Sequence, residues 1–295
     1  MADAAPPTTP PPPVDGEAHP AARSDTAKML VFIVAIQLFA LVITKVNRPM
    51  VVSSGYTYQP VGTSSGGSVA NVLILVFFVF AATLAAVWLV RQKRVKVFQM
   101  VIFLGTALAI FLLTLLSGIA VTSSYVDPTT SLYLSLAFGA ATVVVLALVS
   151  LRKAPAWFGL ILTGLLSAEV GSYFASTIPI LTALLLPLGF SLYDIYTVFR
   201  GPLKSLVTTL PAESLSAVSS KIGEFSIGTG DTVFYAMIPA LAYFQFTVPT
   251  ALVALIAVDV GVVITLYLLS KARLLPGLPI PMFLGVAVLV AFYFL

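Results

Sequence analysis

The chain has 295 residues, of which 59% are hydrophobic and only 9% are charged. A soluble globular protein carries about 25% charged residues, so this composition and the mean hydropathy of +1.07 exclude a soluble protein and indicate one built into a membrane. The net charge of +4 does not indicate nucleic-acid binding, because basic residues in a membrane protein act through their position rather than their sum.

Two residue types that carry much of enzyme chemistry are absent or nearly so. The chain has no cysteine, which excludes disulfides, thiolate metal sites and a cysteine nucleophile. Its one histidine, His19, lies in a proline-rich segment, so neither a serine–histidine pair nor the two-histidine helix of zinc proteases can be built. Acid–base chemistry inside the membrane is left to carboxylates, tyrosines and lysines, and we expect no metal or other cofactor.

In chain order, a proline-rich polar stretch over 1–28 comes first, and we expect it to be a disordered cytoplasmic tail. Apolar runs follow, separated by short polar breaks. Since a helix needs about 20 residues to span a bilayer, two longer runs hold two spans each, divided at Pro179 and at 245–250. Residues 29–295 are therefore predicted to form an all-α, polytopic bundle of nine transmembrane helices. The predicted spans are Met29–Thr44, Ala70–Val90, Val97–Ala120, Ser131–Leu151, two within Trp157–Phe199, two within Gly228–Ser270, and Gly277–Leu295.

The basic residues agree with this number of spans. With a cytoplasmic N-terminus, 13 of the 15 Lys and Arg residues fall on the cytoplasmic side, and only Lys45 and Arg48 fall outside. A missed span would scramble this alternation, since short cytoplasmic loops carry an excess of Lys and Arg. We therefore expect a multi-pass protein of the cell membrane, with its N-terminus inside and its C-terminus outside.

Four acids fall within the predicted spans: Glu169, Asp194, Asp231 and Asp259. Ionisable side chains are costly in lipid and are functional candidates by default. Asp194 lies about five residues from the inner end of the sixth span, and Asp231 about six from the inner end of the seventh. At 1.5 Å per residue, both lie roughly 8–9 Å from the cytoplasmic edge.

Two consecutive antiparallel helices that carry aspartates at one depth predict a catalytic pair. Facing carboxylates share a proton and titrate in two steps that belong to the pair. One acid then polarises a carbonyl while the other activates water, as in aspartic proteases. The alternative is that each acid only hydrogen-bonds a neighbouring helix. That structural interpretation is favoured for Glu169 and Asp259, which do not match this depth.

Glycines and prolines border the two aspartates. Gly228 and Gly230 remove side chains from one flank of Asp231, so another backbone can come close, although glycine also serves plain helix packing. The segment 274–281 holds three prolines and cannot continue a helical ladder. Non-helical backbone at membrane depth survives where it lines a cavity or is buried in protein. This segment is either a plain turn or a wall beside the aspartates, whose free backbone groups could pair with an extended peptide.

These residues resemble the presenilin and signal-peptide-peptidase family of intramembrane aspartyl proteases, the GxGD type. Tyr193-Asp194 is similar to the family's Tyr-Asp motif in helix 6. Gly228-Thr229-Gly230-Asp231 resembles its Gly-x-Gly-Asp motif in helix 7, and Pro276-Gly277-Leu278-Pro279 its Pro-Ala-Leu-Pro motif at helix 9. The motifs are short, but they come in the expected order on the expected helices. The resemblance covers residues 29–295.

The resemblance implies an intramembrane-cleaving aspartyl endopeptidase that hydrolyses peptide bonds within transmembrane helices of other proteins. Asp194 and Asp231 would be its dyad. The implied partners are transmembrane-helix substrates and the lipid bilayer, with a homo-oligomer possible and no accessory subunit inferred. The residues expected to support the dyad and to contact substrate are Tyr193, Gly228, Thr229, Gly230, Pro276, Gly277, Leu278 and Pro279.

Details of the sequence resemble presenilins more than signal peptide peptidases. They are Gly201–Val207 after helix 6, Phe234-Tyr235 after the second aspartate, and the predicted cytoplasmic N-terminus. The loop between helices 6 and 7 is far shorter than in animal presenilins, which favours a microbial, archaeal homologue and leaves self-cleavage of that loop unsupported. Gly277 replaces the family's usual alanine, a change we expect to be harmless. Thr229 replaces its usual leucine, which bears on substrate preference.

Three other functions stay open on the sequence alone. An ion- or proton-coupled transporter would use Asp194, Asp231 and Asp259, and flux driven by a pH gradient would identify it. A prepilin-type peptidase also has a Gly-x-Gly-Asp motif, but it lacks the proline-rich entry to the last helix. A membrane chaperone would bind helices in the same cleft without cleaving them.

Overall fold

The structure, a computed structural model of the chain, describes residues 20–200, 219–222, 225–269 and 275–294. Within these ranges the chain forms nine helices and one short antiparallel hairpin, in which Ser219 lies opposite Gly228. The helices are α1 (Pro20–Ser54), α2 (Ser65–Arg91), α3 (Val95–Thr122), α4 (Pro128–Ser150), α5 (Ala156–Thr177), α6 (Ile180–Phe199), α7 (Thr229–Gln245), α8 (Val248–Leu269) and α9 (Pro279–Phe294). The strands are β1 (Ser219–Ile222) and β2 (Phe225–Gly228).

Seven of the described helices, α1 to α6 and α8, are long and apolar enough to cross a membrane. The other two are shorter, with 17 residues in α7 and 16 in α9. Helix α7 is buried continuously from Thr232 to Ala242. Helix α9 buries one face only, formed by Pro281, Met282, Gly285, Val286 and Leu289. The prediction of an all-α, polytopic integral membrane protein is confirmed. The hairpin before α7 was not predicted.

Two predicted helix breaks agree with the structure. Pro179 is the N-cap of α6 in extended conformation, which suits a residue that has no backbone N–H to donate. α7 ends at Gln245 and α8 begins at Val248, within the break predicted at 245–250.

The predicted limits of the first span are wrong at both ends. α1 begins at Pro20 rather than Met29 and continues to Ser54 rather than Thr44. Its first turns are stabilised by an ion pair between Lys28 and Asp25, whose Nζ and Oδ1 atoms lie 3.0 Å apart. A limit set by hydropathy misses such polar turns. Of the predicted disordered tail, 1–19 lies outside the described residues, as does Gly201–Val207.

Helix α7 lies at the centre of the bundle, in contact with α5, α1 and α8. A β-carbon on Gly171 would lie 2.8 Å from the carbonyl oxygen of Val233, so α5 and α7 meet backbone to backbone. Helix α6 packs chiefly on α2 and α9 and touches α7 much less. Helix α9 contacts α8, α6 and α7, so it bridges the two helices that carry Asp194 and Asp231.

Candidate active site

Asp194 lies near the end of α6 and is held by backbone from the far end of the chain. The amide of Leu278 donates a hydrogen bond of 3.1 Å to Asp194 Oδ2. Leu278 can offer this amide because 275–278 is not helical and α9 begins only at Pro279. The predicted non-helical entry to the last helix is therefore present.

Asp231 lies in the first turn of α7, directly after β2. Gly228 closes the strand and is the N-cap of the helix in extended conformation, so the chain turns sharply from sheet to helix just before the carboxylate. A β-carbon on Gly277 would lie 2.8 Å from Asp231 Oδ2. Asp194 and Asp231 thus flank the same two residues, 277 and 278.

Tyr235 lies one turn beyond Asp231 and is almost completely buried, with 2% of its surface exposed. Residues four apart share a helix face, so Tyr235 points to the same side as Asp231. Its hydroxyl donates a hydrogen bond of 2.9 Å to the carbonyl oxygen of Gly277. The segment that contacts both aspartates is therefore also bound to α7.

Tyr193 fastens α6 to α2 beside Asp194. Its hydroxyl lies 2.7 Å from Thr83 Oγ1, and its ring meets those of Phe80 and Phe190 edge-on. The hydroxyl contact that the structure describes is with α2 and not with the neighbouring carboxylate. Tyr193 thus borders the dyad and fixes the helix that carries Asp194.

The glycine motif is divided between two sides of α7. Gly230 is exposed, with open space where a β-carbon would stand, and a β-carbon on Gly228 would reach Asp231 Oδ2 at 3.5 Å, an ordinary contact. Thr229 faces elsewhere. It lines a small cavity among α3, α4 and α5, and its buried hydroxyl has no described partner. The structure therefore brings Gly228 to Asp231, whereas Gly230 is exposed and Thr229 faces away.

The remaining residues of the predicted site lie in the segment that meets both helices. Pro276 is buried, and Leu278 has only 5% of its surface exposed. Pro279 opens α9, and the carbonyl of Leu278 accepts the first amide bond of that helix, from Met282 at 3.0 Å. Proline is well placed in a first turn, since the amide that it lacks has no partner there.

Comparison with solved structures identifies this arrangement of helices. A structure of a presenilin family intramembrane aspartate protease in space group C222 matches 92% of this chain and 99% of its own, with a TM-score of 0.64 and 21% identity. A second, in space group P2, matches 90% of this chain and 97% of its own, with a TM-score of 0.62 and 23% identity. The chain has the presenilin fold. No family model matches the sequence, and no curated protein does.

The other two intramembrane acids of this presenilin-like bundle lie in separate contacts. Glu169 on α5 has 3% of its surface exposed and accepts a bond of 3.2 Å from Thr114 Oγ1 on α3. Asp259 on α8 lies close to Gln37 on α1. Among the described residues, both amide atoms of Gln37 and the Oδ1 atom of Asp259 are buried without a hydrogen-bond partner. No three acidic or histidine side chains converge in the part of the chain that the structure describes.

Several residues that hold the site together were not found from the sequence. The hydroxyl of Thr232 donates to the carbonyl of Thr229 at 2.9 Å and lies 2.7 Å from Ser167 Oγ. Having a single hydrogen, it must accept from Ser167, which ties the first turn of α7 to α5. The sequence does not show which residue a hydroxyl within a transmembrane helix will bond. Tyr235 was noted in the sequence only as part of Phe234-Tyr235, and its spacing of four residues from Asp231 could have placed it at the site.

Proposed function

We propose that this protein is an intramembrane aspartyl endopeptidase that hydrolyses peptide bonds within the transmembrane helices of membrane proteins. One observation carries the proposal: Asp194 and Asp231, from two different helices, converge on the Gly277–Leu278 peptide. A pair of carboxylates that can share one proton is the apparatus of acid–base peptide hydrolysis. The likeness in fold to solved intramembrane aspartate proteases supports it.

The proposed reaction needs only the dyad and one water molecule. The ionised carboxylate takes a proton from water as the water oxygen attacks the peptide carbonyl carbon. The protonated carboxylate donates its proton to the carbonyl oxygen, which yields a gem-diol intermediate. Proton transfer to the amide nitrogen then lets the carbon–nitrogen bond break, leaving a new carboxyl group and a new amine.

A helical substrate must unwind before this reaction, because its carbonyls and amides are bonded within the helix. The hairpin offers a place for the unwound strand. β2 pairs with β1 along one edge and has no second strand partner among the described residues. It leads directly into the turn that carries Asp231. An extended peptide added to that free edge would run alongside the dyad.

The protein is a multi-pass membrane protein, and we further propose the cell membrane as its location, with the N-terminus inside and the C-terminus outside. In that orientation the dyad lies near the cytoplasmic surface, where water reaches it most readily. The distribution of Lys and Arg supports this orientation. Single cysteines placed in successive loops of this cysteine-free chain, labelled from one side of sealed vesicles, would measure it.

The test is cleavage of a model transmembrane helix by the purified protein in lipid vesicles. We expect Asp194→Asn and Asp231→Asn each to lower the rate by at least about 100-fold, while the thermal midpoint stays near that of the native chain. Asp259→Asn is the matched control, an intramembrane aspartate outside the pair, and should retain activity. An aspartyl-protease transition-state inhibitor should block cleavage.

Retained cleavage in either dyad variant would overturn the assignment of the pair. Flux driven by a pH gradient, with no peptide product, would point instead to a transporter. Stable binding of the model helix with no turnover would point to a chaperone.

A further inference from the structure

We propose that Tyr235 is a positioning residue of the dyad, which acts by holding the Gly277–Leu278 peptide between α7 and α6. The inference rests on the proposed function, since it assigns a role within the same site. It gives a role to Tyr235, which the sequence resemblance included only as part of Phe234-Tyr235.

The geometry centres on a single peptide unit. The Tyr235 hydroxyl donates to the carbonyl oxygen of Gly277 at 2.9 Å. The amide of Leu278 donates to Asp194 Oδ2 at 3.1 Å. That carbonyl and that amide belong to the same planar, trans peptide, in which they point in opposite directions. One peptide plane is therefore held on one side by α7 and on the other by a catalytic carboxylate of α6.

This peptide has little else to fix its orientation. It lies in the non-helical stretch 275–278, so it has no helical ladder of its own. Gly277 permits rotations that other residues resist. If the hydroxyl of Tyr235 were absent, the plane could turn, and the Leu278 amide would then no longer face Asp194. The α-carbon of Gly277 would also be free to leave its position against Asp231.

Tyr235 is well suited to act as the fixed end of this link. It is buried in the central core, and it shares a helix face with Asp231. Its hydroxyl is expected to keep its hydrogen bond to the Gly277 carbonyl, because an unpaired hydroxyl in an apolar site is unfavourable. The link therefore sets the position of Asp194 relative to the helix that carries Asp231, and so the spacing of the two carboxylates.

The first experiment is steady-state cleavage of a model transmembrane helix by Tyr235→Phe in lipid vesicles. This change removes one oxygen atom and keeps the ring. We expect kcat to fall about 10-fold, the size of one lost hydrogen bond expressed in the transition state, with KM within about twofold of the native value. Tyr196→Phe is the control, because Tyr196 is on α6, is half exposed and packs on Phe80. It should leave both constants unchanged. Incorporating 3-fluorotyrosine at 235, which keeps the donor, should restore kcat.

A second readout does not depend on activity. Hydrogen–deuterium exchange over 275–278 should be faster in Tyr235→Phe than in the native protein and unchanged in Tyr196→Phe. An unaltered kcat, a change confined to KM, or unchanged exchange would each overturn the inference. So would failure of Tyr235→Phe to fold where the native chain folds, since the hydroxyl would then serve stability alone.

The two proposals fail in distinguishable ways. If the native protein cleaves nothing, the proposed function is wrong, and exchange over 275–278 still decides whether Tyr235 holds the peptide. If the native protein cleaves and the dyad variants do not, the function stands whatever the outcome for Tyr235.

Discussion

At residue 277 any side chain larger than a hydrogen atom would press on the carboxylate of Asp231. A β-carbon there would lie 2.8 Å from Asp231 Oδ2, 3.4 Å from Asp231 Cγ and 3.5 Å from the Tyr235 hydroxyl. The alanine that the sequence resemblance places here would therefore require the Asp231 carboxylate to shift. In this chain it lets the backbone of the 275–278 segment rest directly against the second carboxylate.

Gly277→Ala is expected to displace the carboxylate of Asp231 and to lower the cleavage rate by about 10- to 100-fold, because small misplacements of catalytic groups are costly. The loss should appear in kcat. The control is Gly105→Ala on α3, where a β-carbon meets open space. Equal rates for Gly277→Ala and the native protein would show that the carboxylate can turn aside freely.

The element that positions the site is α7, and its contact with α5 decides where it lies. The two helices meet at Gly171, where an added β-carbon would lie 2.8 Å from Val233 O and 2.9 Å from Met237 N. Backbone atoms cannot turn away as side chains do. The Ser167–Thr232 pair fixes the first turn of α7 at the same interface, one residue after Asp231.

Gly171→Ala should force α5 and α7 apart. We expect a loss of about 1–3 kcal/mol in the free energy of unfolding, together with reduced cleavage, because Asp231 moves with its helix. Gly164→Ala, on the same helix, is the control and should cost less stability. Its β-carbon would lie 3.4 Å from Ile36 Cγ1, an ordinary contact. Thermal unfolding of both variants in one detergent measures the difference. A Gly171→Ala variant as stable and as active as Gly164→Ala would contradict the backbone contact.

For the whole molecule, polar side chains in the membrane fall into separate groups. The two aspartates lie between α6 and α7, Glu169 joins α5 to α3, and Asp259 lies close to Gln37 between α8 and α1. Gln37 is fully buried. A buried polar group that loses its partner is destabilising, whereas removal of both partners can be neutral or stabilising. This predicts a non-additive pair of substitutions.

Gln37→Leu and Asp259→Leu, made singly, should each lower stability by about 1–3 kcal/mol. Made together, they should restore most of that loss, and the double variant should still cleave. Unfolding of the four proteins in a double-mutant cycle gives the coupling energy. If the folded double variant were inactive, Asp259 would have to be assigned a part in the function.

The fold was largely predictable because its signals are local. Length and hydropathy located the spans, and Pro179 marked a break that needs no knowledge of neighbours. The polar turns at the ends of α1 were missed, because hydropathy does not detect a helix that continues beyond its apolar part. The hairpin was missed for a different reason. The strands β1 and β2 are only four residues long, too short for alternation to distinguish them from a loop.

The site was predictable only in part because it depends on non-local contacts. The matching depth of Asp194 and Asp231 along two helices predicted that they form a pair, and the sequence motifs predicted that 276–279 belongs to the site. The sequence could not show that Leu278 supplies an amide to Asp194 or that Thr229 faces away, because both follow from how α9 and α5 pack. Hydroxyl pairs such as Ser167–Thr232 are equally invisible until the helices are placed.

The hydrogen bond between Leu278 and Asp194 joins positions 84 residues apart, and this has a consequence for biosynthesis. The ribosome synthesises α6, α7 and α8 before it makes the peptide that lies between the two carboxylates. Until 275–278 is inserted, Asp194 lacks its amide partner and Tyr235 lacks its carbonyl. The two aspartates would therefore enter the membrane without the contacts that hold them, and on the proposed function the order of synthesis would delay hydrolysis of neighbouring helices until the bundle had closed.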